Sequence, residues 1–105
     1  MTDPTGPLKG LRVLELGHYV SAPFCTRLLG DLGAEVIKVE APGAGDPMRA
    51  NGKQVKGRAL WWSSLNRNKK LITLDLRQKS GQDIALRLAE RADVVVENFR
   101  AGQLE

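Results

Sequence analysis

The chain has 105 residues, enough for one small domain and too few for two. Its hydrophobic fraction of 42% and charged fraction of 27% are those of a globular domain, and no run approaches the roughly 20 apolar residues that cross a bilayer. Lys plus Arg exceed Asp plus Glu by 16 to 12, a net charge of +4. That surplus suits an anionic small molecule better than nucleic acid, because only one local basic cluster occurs (Arg67, Lys69, Lys70) and no nucleic-acid motif accompanies it.

At the N-terminus, Met1 to Pro7 has no basic segment followed by an apolar run, so it does not read as a secretion signal. With a single cysteine, Cys25, an internal disulfide is impossible, and the expected location is the cytoplasm. Leu11 to Leu16 is short, apolar and bounded by Gly10 and Gly17, which predicts a buried strand. A loop from Gly17 to Ala22 follows, and then a helix starting near Pro23 and capped by Ser21. Phe24, Leu28 and Leu32, with Cys25 and Leu29 beside them, form that helix's apolar stripe, and Gly33 stops it. Cys25 is expected to be inert on that apolar side.

Glu35 to Val39 is the second predicted strand. Ala41 to Gly57, rich in glycine and proline, reads as a long loop, and a loop of that length in a small domain is more often functional than idle. Trp61, Trp62 and Leu65 fit a short helical turn whose tryptophans anchor packing or a subunit surface. Leu71 to Leu76 is the third strand. Ser80-Gly81-Gln82-Asp83 has capping-box spacing and opens a helix with Ile84, Ala85, Leu88 and Ala89 on one face. Asp93 to Glu97 is the fourth strand. The alternation predicts an α/β fold, a Rossmann-like parallel sheet of four strands with helices packed on it. With no covering helix after the fourth strand, residues 1–105 are expected to be the N-terminal part of a longer protein, and to associate or be marginally stable alone.

Four motifs, read in order, carry a family resemblance: Leu8 to Leu16; His18 through Ala22-Pro23 to Leu32-Gly33-Ala34 and Glu40; Asn66 to Leu76; and Ala92 to Gly102 with Glu97-Asn98-Phe99-Arg100 at its centre. Together they resemble the class III coenzyme A-transferases, the family of formyl-CoA transferase, carnitine CoA-transferase and α-methylacyl-CoA racemase. The resemblance implies a two-domain protein about four times longer that forms interlocked homodimers, of which this chain is the N-terminal part. It implies transfer of coenzyme A between an acyl-CoA thioester and a carboxylic acid acceptor through an aspartyl anhydride. It also implies that the catalytic aspartate, or the histidine and aspartate of the racemases, lies downstream of the Glu97-Asn98-Phe99-Arg100 motif. No catalytic residue is therefore assigned here, and no metal. Acyl-CoA racemization and a non-catalytic coenzyme A-binding module are the alternatives.

By the same resemblance, His18, Tyr19, Val20 and Ser21 match positions that touch coenzyme A or the acyl group, and Leu74, Arg77, Asn98 and Phe99 match further coenzyme contacts. A loop leading directly into a helix N-terminus suits developing negative charge, since its free N–H groups point at the ligand. Val20 stands where formyl-CoA transferases carry glutamine, which argues against a formyl or oxalyl substrate. His18 reads equally as a loop histidine bonding the backbone, and Leu74 reads first as core. Arg77 replaces a lysine, keeping the charge that a phosphate needs. Ala41 replaces an arginine that stacks near the adenine, with Arg49 or the Arg67 to Lys70 cluster as the substitute. Gly43-Ala44-Gly45-Asp46 resembles a phosphate cradle only loosely. Glu40 at the end of the second strand resembles the ribose-binding acid of a dinucleotide-binding dehydrogenase, but Gly17 to Ala22 lacks the G-x-G-x-x-G pattern.

Overall fold

The computed structural model describes residues 5–104. In chain order they form β1 (Arg12–Glu15), α1 (Ser21–Asp31), β2 (Glu35–Glu40), a 3-10 turn (Pro47–Ala50), β3 (Gln54–Val55), β4 (Arg58–Ala59), α2 (Leu60–Leu65), β5 (Lys69–Thr73), α3 (Lys79–Glu90) and β6 (Val94–Val96). Four strands make one parallel sheet in the order β5-β2-β1-β6, as the alternation predicts. The chain moves outward from β1 through β2 to β5, then crosses back to lay β6 against the other side of β1. The β1–β6 boundary is thus the place where the winding reverses, and α/β sheets bind ligands beside the carboxyl ends of the strands at such a point.

The sheet is covered on both faces. Val13, Ala34 and Val36 pack with Leu8, Leu11, Leu29 and Val96 on the α1 side. Leu14, Leu16 and Val39 pack with Ile37, Ile72, Leu74, Leu88, Ala89 and Phe99 on the α3 side.

Several local expectations are corrected. Helix α1 starts at Ser21 and places Pro23 in its first turn; Ser21 does not cap it, because its hydroxyl takes the Asn98 amide instead. The buried face of α1 is Ala22, Pro23 and Thr26, continued by the partly buried Leu29, while Phe24, Leu28 and Leu32 are each more than two-fifths exposed and Cys25 is also exposed. The small residues face inward because the sheet beneath them carries polar side chains that need close hydrogen-bonding partners. The third strand begins at Lys69 and ends at Thr73, earlier than expected. Leu74 still donates its N–H to the Glu40 carbonyl at 3.1 Å, but the Asp75 carboxylate then takes the Arg77 N–H at 3.0 Å, a local turn that ends the strand. Ser80 caps nothing: α3 starts at Lys79 after Gln78, and Asp83 accepts from the Lys79 ammonium. Ile84 is exposed, and the sheet side of α3 is Ala85, Leu88 and Ala89.

The predicted loop 41–57 contains structure. Asp46 caps the 3-10 turn by accepting from the Met48 N–H, and β3 and β4 form an antiparallel hairpin. Lys56 and Gly57 both have positive φ (51° and 78°), the sign that a two-residue I′ hairpin turn requires.

Candidate functional site

A cleft of about 440 Å³ opens at the carboxyl ends of the parallel strands. That volume lies within the range of small-molecule sites. Leu16 and His18 from just after β1, Glu40 from the end of β2 and Asp46 from beyond it, Leu74, Asp75 and Arg77 from beyond β5, and Phe99 from beyond β6 line it. Of the residues expected to bind a ligand, the cleft thus brings together His18, Leu74, Arg77 and Phe99. Tyr19, Val20 and Ser21 continue the same loop but lie outside the cleft lining, with Tyr19 and Val20 exposed.

Asn98 also lies outside the lining, and its polar atoms are committed to the loop. Its Oδ1 accepts from the His18 N–H at 3.0 Å, while Nδ2 donates to the His18 carbonyl at 2.8 Å and to Ser21 Oγ at 2.9 Å. Asn98 therefore closes the β1–β6 boundary by holding the two strand-end segments together. Gly17 is required at this point: a Cβ there would collide with Asn98 Oδ1 and with the Ala22 methyl. The His18 ring sits between Tyr19 and Phe99, at centroid distances of 5.3 and 5.6 Å, and its buried Nδ1 has no hydrogen-bond partner among the described residues. The backbone of His18 braces the loop, while its ring packs between two aromatic side chains at the cleft wall.

Beneath the loop lies a buried charge network that the sequence reading did not single out. Glu15 Oε1 accepts from the Thr26 hydroxyl at 2.6 Å and from Lys69 Nζ at 2.8 Å, and Oε2 accepts from Lys38 Nζ at 2.8 Å. Lys38 also pairs with Asp46 Oδ2 at 2.9 Å and donates to the Gly17 carbonyl at 3.2 Å. Lys69 donates to the Pro23 carbonyl at 3.0 Å and to Asn66 Oδ1 at 2.7 Å. The side chains of Glu15, Lys38 and Lys69 have no solvent exposure, so each ammonium must spend its three donors inside the protein. Two cations and two carboxylates cancel, which is what makes such burial tolerable. Burial pushes the Lys69 pKa down from its ordinary value, against the pull of Glu15. The signal available in the sequence was a charged residue at an inward position of each inner strand, Glu15 and Lys38, flanked by apolar neighbours.

Other carboxylates of the cleft are also engaged. Arg49 binds Glu40 through two nitrogens, each at 2.7 Å, and the Asp46 N–H adds a bond at 2.8 Å. Burial alone would raise the Glu40 pKa, but Arg49 and that N–H outweigh it and hold the carboxyl below its usual range. Asp46 behaves likewise: the N–H groups of Met48 and Tyr19 and the Lys38 ammonium overcome the burial penalty. The backbone N–H of Arg77, followed by its guanidinium, lowers the Asp75 pKa. Glu40 is therefore filled by arginine and has no free oxygen pair for a ribose, which removes the dehydrogenase analogy. Arg49 lies 3.7 Å from the centroid of the Trp62 ring, so it stacks on this chain's own indole. The expected basic cluster is dispersed, with Arg67 on Asp31, Lys70 on Glu35 and Lys69 buried. Among the described residues, no group of His, Cys, Asp and Glu is arranged to hold a metal, and no helix is long and apolar enough to cross a membrane.

The sequence model of CoA-transferase family III matches residues 8–105. The chain belongs to CoA-transferase family III. It is 58% identical over 103 residues to succinyl-CoA–D-citramalate CoA-transferase of Chloroflexus aurantiacus, covering 97% of this chain and 26% of that protein. To the succinyl-CoA:glutarate CoA-transferase of Mus musculus it is 47% identical, over 97% of this chain and 24% of the relative. Its fold superposes on a CAIB/BAIF family protein from Brucella suis with a TM-score of 0.86 at 43% identity, over 94% of this chain and 27% of that structure. The chain thus spans about a quarter of the length of these relatives.

Proposed function

We propose that this chain supplies the coenzyme A-binding, N-terminal part of a CoA-transferase, an enzyme that moves coenzyme A from an acyl-CoA thioester to a carboxylic acid. The observation that carries the reading is the cleft at the reversal of the sheet's winding. There the His18 side chain, the Phe99 ring and Arg77 converge, and the chain runs on from His18 into α1. Arg77 is suited to a phosphate of the coenzyme, and the thioester end is directed toward His18 and the start of α1, whose free N–H groups favour negative charge developing on the carbonyl oxygen.

In the reaction proposed, a carboxylate attacks the thioester carbonyl, the C–S bond breaks and coenzyme A leaves as a thiolate, forming a mixed anhydride. The cleft's own carboxylates are poor candidates for that nucleophile. Glu40, Asp46 and Asp75 each carry bonds from arginine, lysine or backbone N–H groups that hold them ionised and occupied. The family resemblance implies that the attacking aspartate lies downstream of the Glu97-Asn98-Phe99-Arg100 motif, and the engaged state of these carboxylates agrees with that reading. The relatives' names favour a short dicarboxylic acyl group, as in succinyl-CoA, and an organic acid acceptor. A second polypeptide surface is expected to cover the exposed apolar residues of α1 and β6, consistent with a dimer, and a cytoplasmic location fits the single unpaired cysteine.

Calorimetric titration tests the reading. Coenzyme A should bind the chain saturably, and Arg77→Ala should weaken that binding by about three- to ten-fold, the effect of one solvent-exposed charge-assisted bond. Binding of pantetheine, which lacks the phosphates, should be unchanged. Equal losses for both ligands, or no saturable binding by the parent chain, would overturn the assignment.

A further inference from the structure

We infer that Lys38 and Asp46 act as a positioning pair for the His18 to Ser21 loop, setting the acyl-CoA site without touching the ligand. The inference rests on the reading of the cleft as an acyl-CoA site. Both side chains are almost wholly buried, at 0% and 1% exposure, so neither is available to a substrate. Yet between them they hold the two peptide groups that flank His18. Lys38 Nζ donates to the Gly17 carbonyl at 3.2 Å, and Asp46 Oδ1 accepts from the Tyr19 N–H at 3.0 Å.

Tyr19 has φ of 65°, a left-handed backbone that a non-glycine residue adopts at a cost and keeps only when its surroundings fix it. Asp46 supplies that fixation. Its Oδ1 takes the N–H groups of Tyr19 and Met48, and its Oδ2 forms an ion pair with the Lys38 ammonium at 2.9 Å. The ammonium orients the carboxylate, and the carboxylate orients the loop. Glu15, which takes Lys69 on its other oxygen, anchors the ammonium from below. Asn98 grips the same loop from the β6 side through both backbone groups of His18. The reversed φ at Tyr19, held from two sides, sets how the chain enters α1 and where the His18 ring meets Phe99.

Two variants test this. Lys38→Met with Asp46→Asn removes one charge of each sign, so the buried network stays neutral, and it keeps one side-chain oxygen at position 46. Asp46→Asn alone keeps one oxygen for the two N–H donors and removes the carboxylate that pairs with Lys38. Each variant is examined by amide hydrogen exchange, residue by residue, and by calorimetric titration with coenzyme A. The expected result is exchange at Tyr19 faster by about ten-fold or more, exchange at Leu14 and Val36 in the core unchanged, and affinity for coenzyme A lower by about ten-fold. Unchanged Tyr19 exchange in a folded variant overturns the inference. So does faster Tyr19 exchange with unaltered affinity, provided the parent chain binds coenzyme A. If both variants fail to fold, the pair serves folding and not positioning, which also overturns it. A parent chain that binds no coenzyme A defeats the functional reading alone; Tyr19 exchange then still decides whether the pair holds the loop.

Discussion

The two inner strands and the two outer strands of the sheet invert the usual relation between charge and burial. Strands β1 and β2 carry Glu15 and Lys38 with no exposure at all, and Lys69 at the start of β5 is buried beside them. Strand β6, three consecutive valines, leaves Val94 and Val95 more than a third exposed. Hydrophobicity alone would assign these the other way round. What decides burial here is the partner available at each position. Glu15 is covered by α1 and finds two ammonium groups and a hydroxyl, whereas β6 has a strand on one side only. A buried charge is tolerated when every donor and acceptor is matched, and an exposed valine needs no compensation.

The contrast can be broken most severely at its centre. Glu15→Ala leaves two buried ammonium groups without their shared carboxylate, and removing one partner from a buried ionic set costs roughly 3–5 kcal/mol. Urea unfolding should show that loss, or an unfolded chain. Acid should attack the same region from outside. The folded-state pKa values of Glu40 and Asp46 lie below the ordinary 4.5 and 3.8, so their contribution is fully present above those values and is lost as the pH falls through the lower folded values. Thermal melts should therefore be level down to about pH 5 and fall steeply below about pH 4. A level melting temperature down to pH 2 would contradict the network. Gly17→Ala should cost about 1–3 kcal/mol by forcing Asn98 and Ala22 apart, the usual penalty of overpacking. At the far end of the comparison, Val95→Thr on β6 should change stability by less than about 0.5 kcal/mol. A loss of 2 kcal/mol or more at Val95 would mean that this edge is covered in solution.

The sheet was legible because its strands are short apolar runs separated by amphipathic segments of helical length, and β1, β2 and α3 lie within a few residues of the expected places. The hairpin was missed because two-residue strands such as Gln54–Val55 carry too little pattern to stand out from a Gly- and Pro-rich loop. The face of α1 was misread for a reason that composition conceals. Phe24, Leu28 and Leu32 are the more apolar side, but the sheet beneath α1 offers a carboxylate and an ammonium, which the Thr26 hydroxyl and the Pro23 carbonyl meet from the small-residue face. Of the cleft lining, His18, Leu74, Arg77 and Phe99 were legible because the family motifs run through or directly beside the strand ends that form it. Asp46 was seen only as part of a loose glycine-rich loop. Its bond to Tyr19 spans 27 residues and its ion pair with Lys38 reaches back into β2, and no local pattern encodes either.

The pairing of Glu15 with Lys38 also bears on how β1 and β2 find their alignment. The two residues are direct neighbours across the parallel ladder, in line with Val13 beside Val36. Side chains alternate between faces along a strand, so sliding β2 by one residue would carry Lys38 into the apolar layer of Leu14, Leu16 and Val39, with no carboxylate in reach. The wrong alignment would thus strand a charge in hydrocarbon on one face and leave Glu15 short of a partner on the other. An apolar pair of similar volume at these two positions would tolerate both alignments more evenly. The buried ions therefore act as a key to the order in which the chain is threaded: they add little to the depth of the native energy well and much to the height of its nearest competitors.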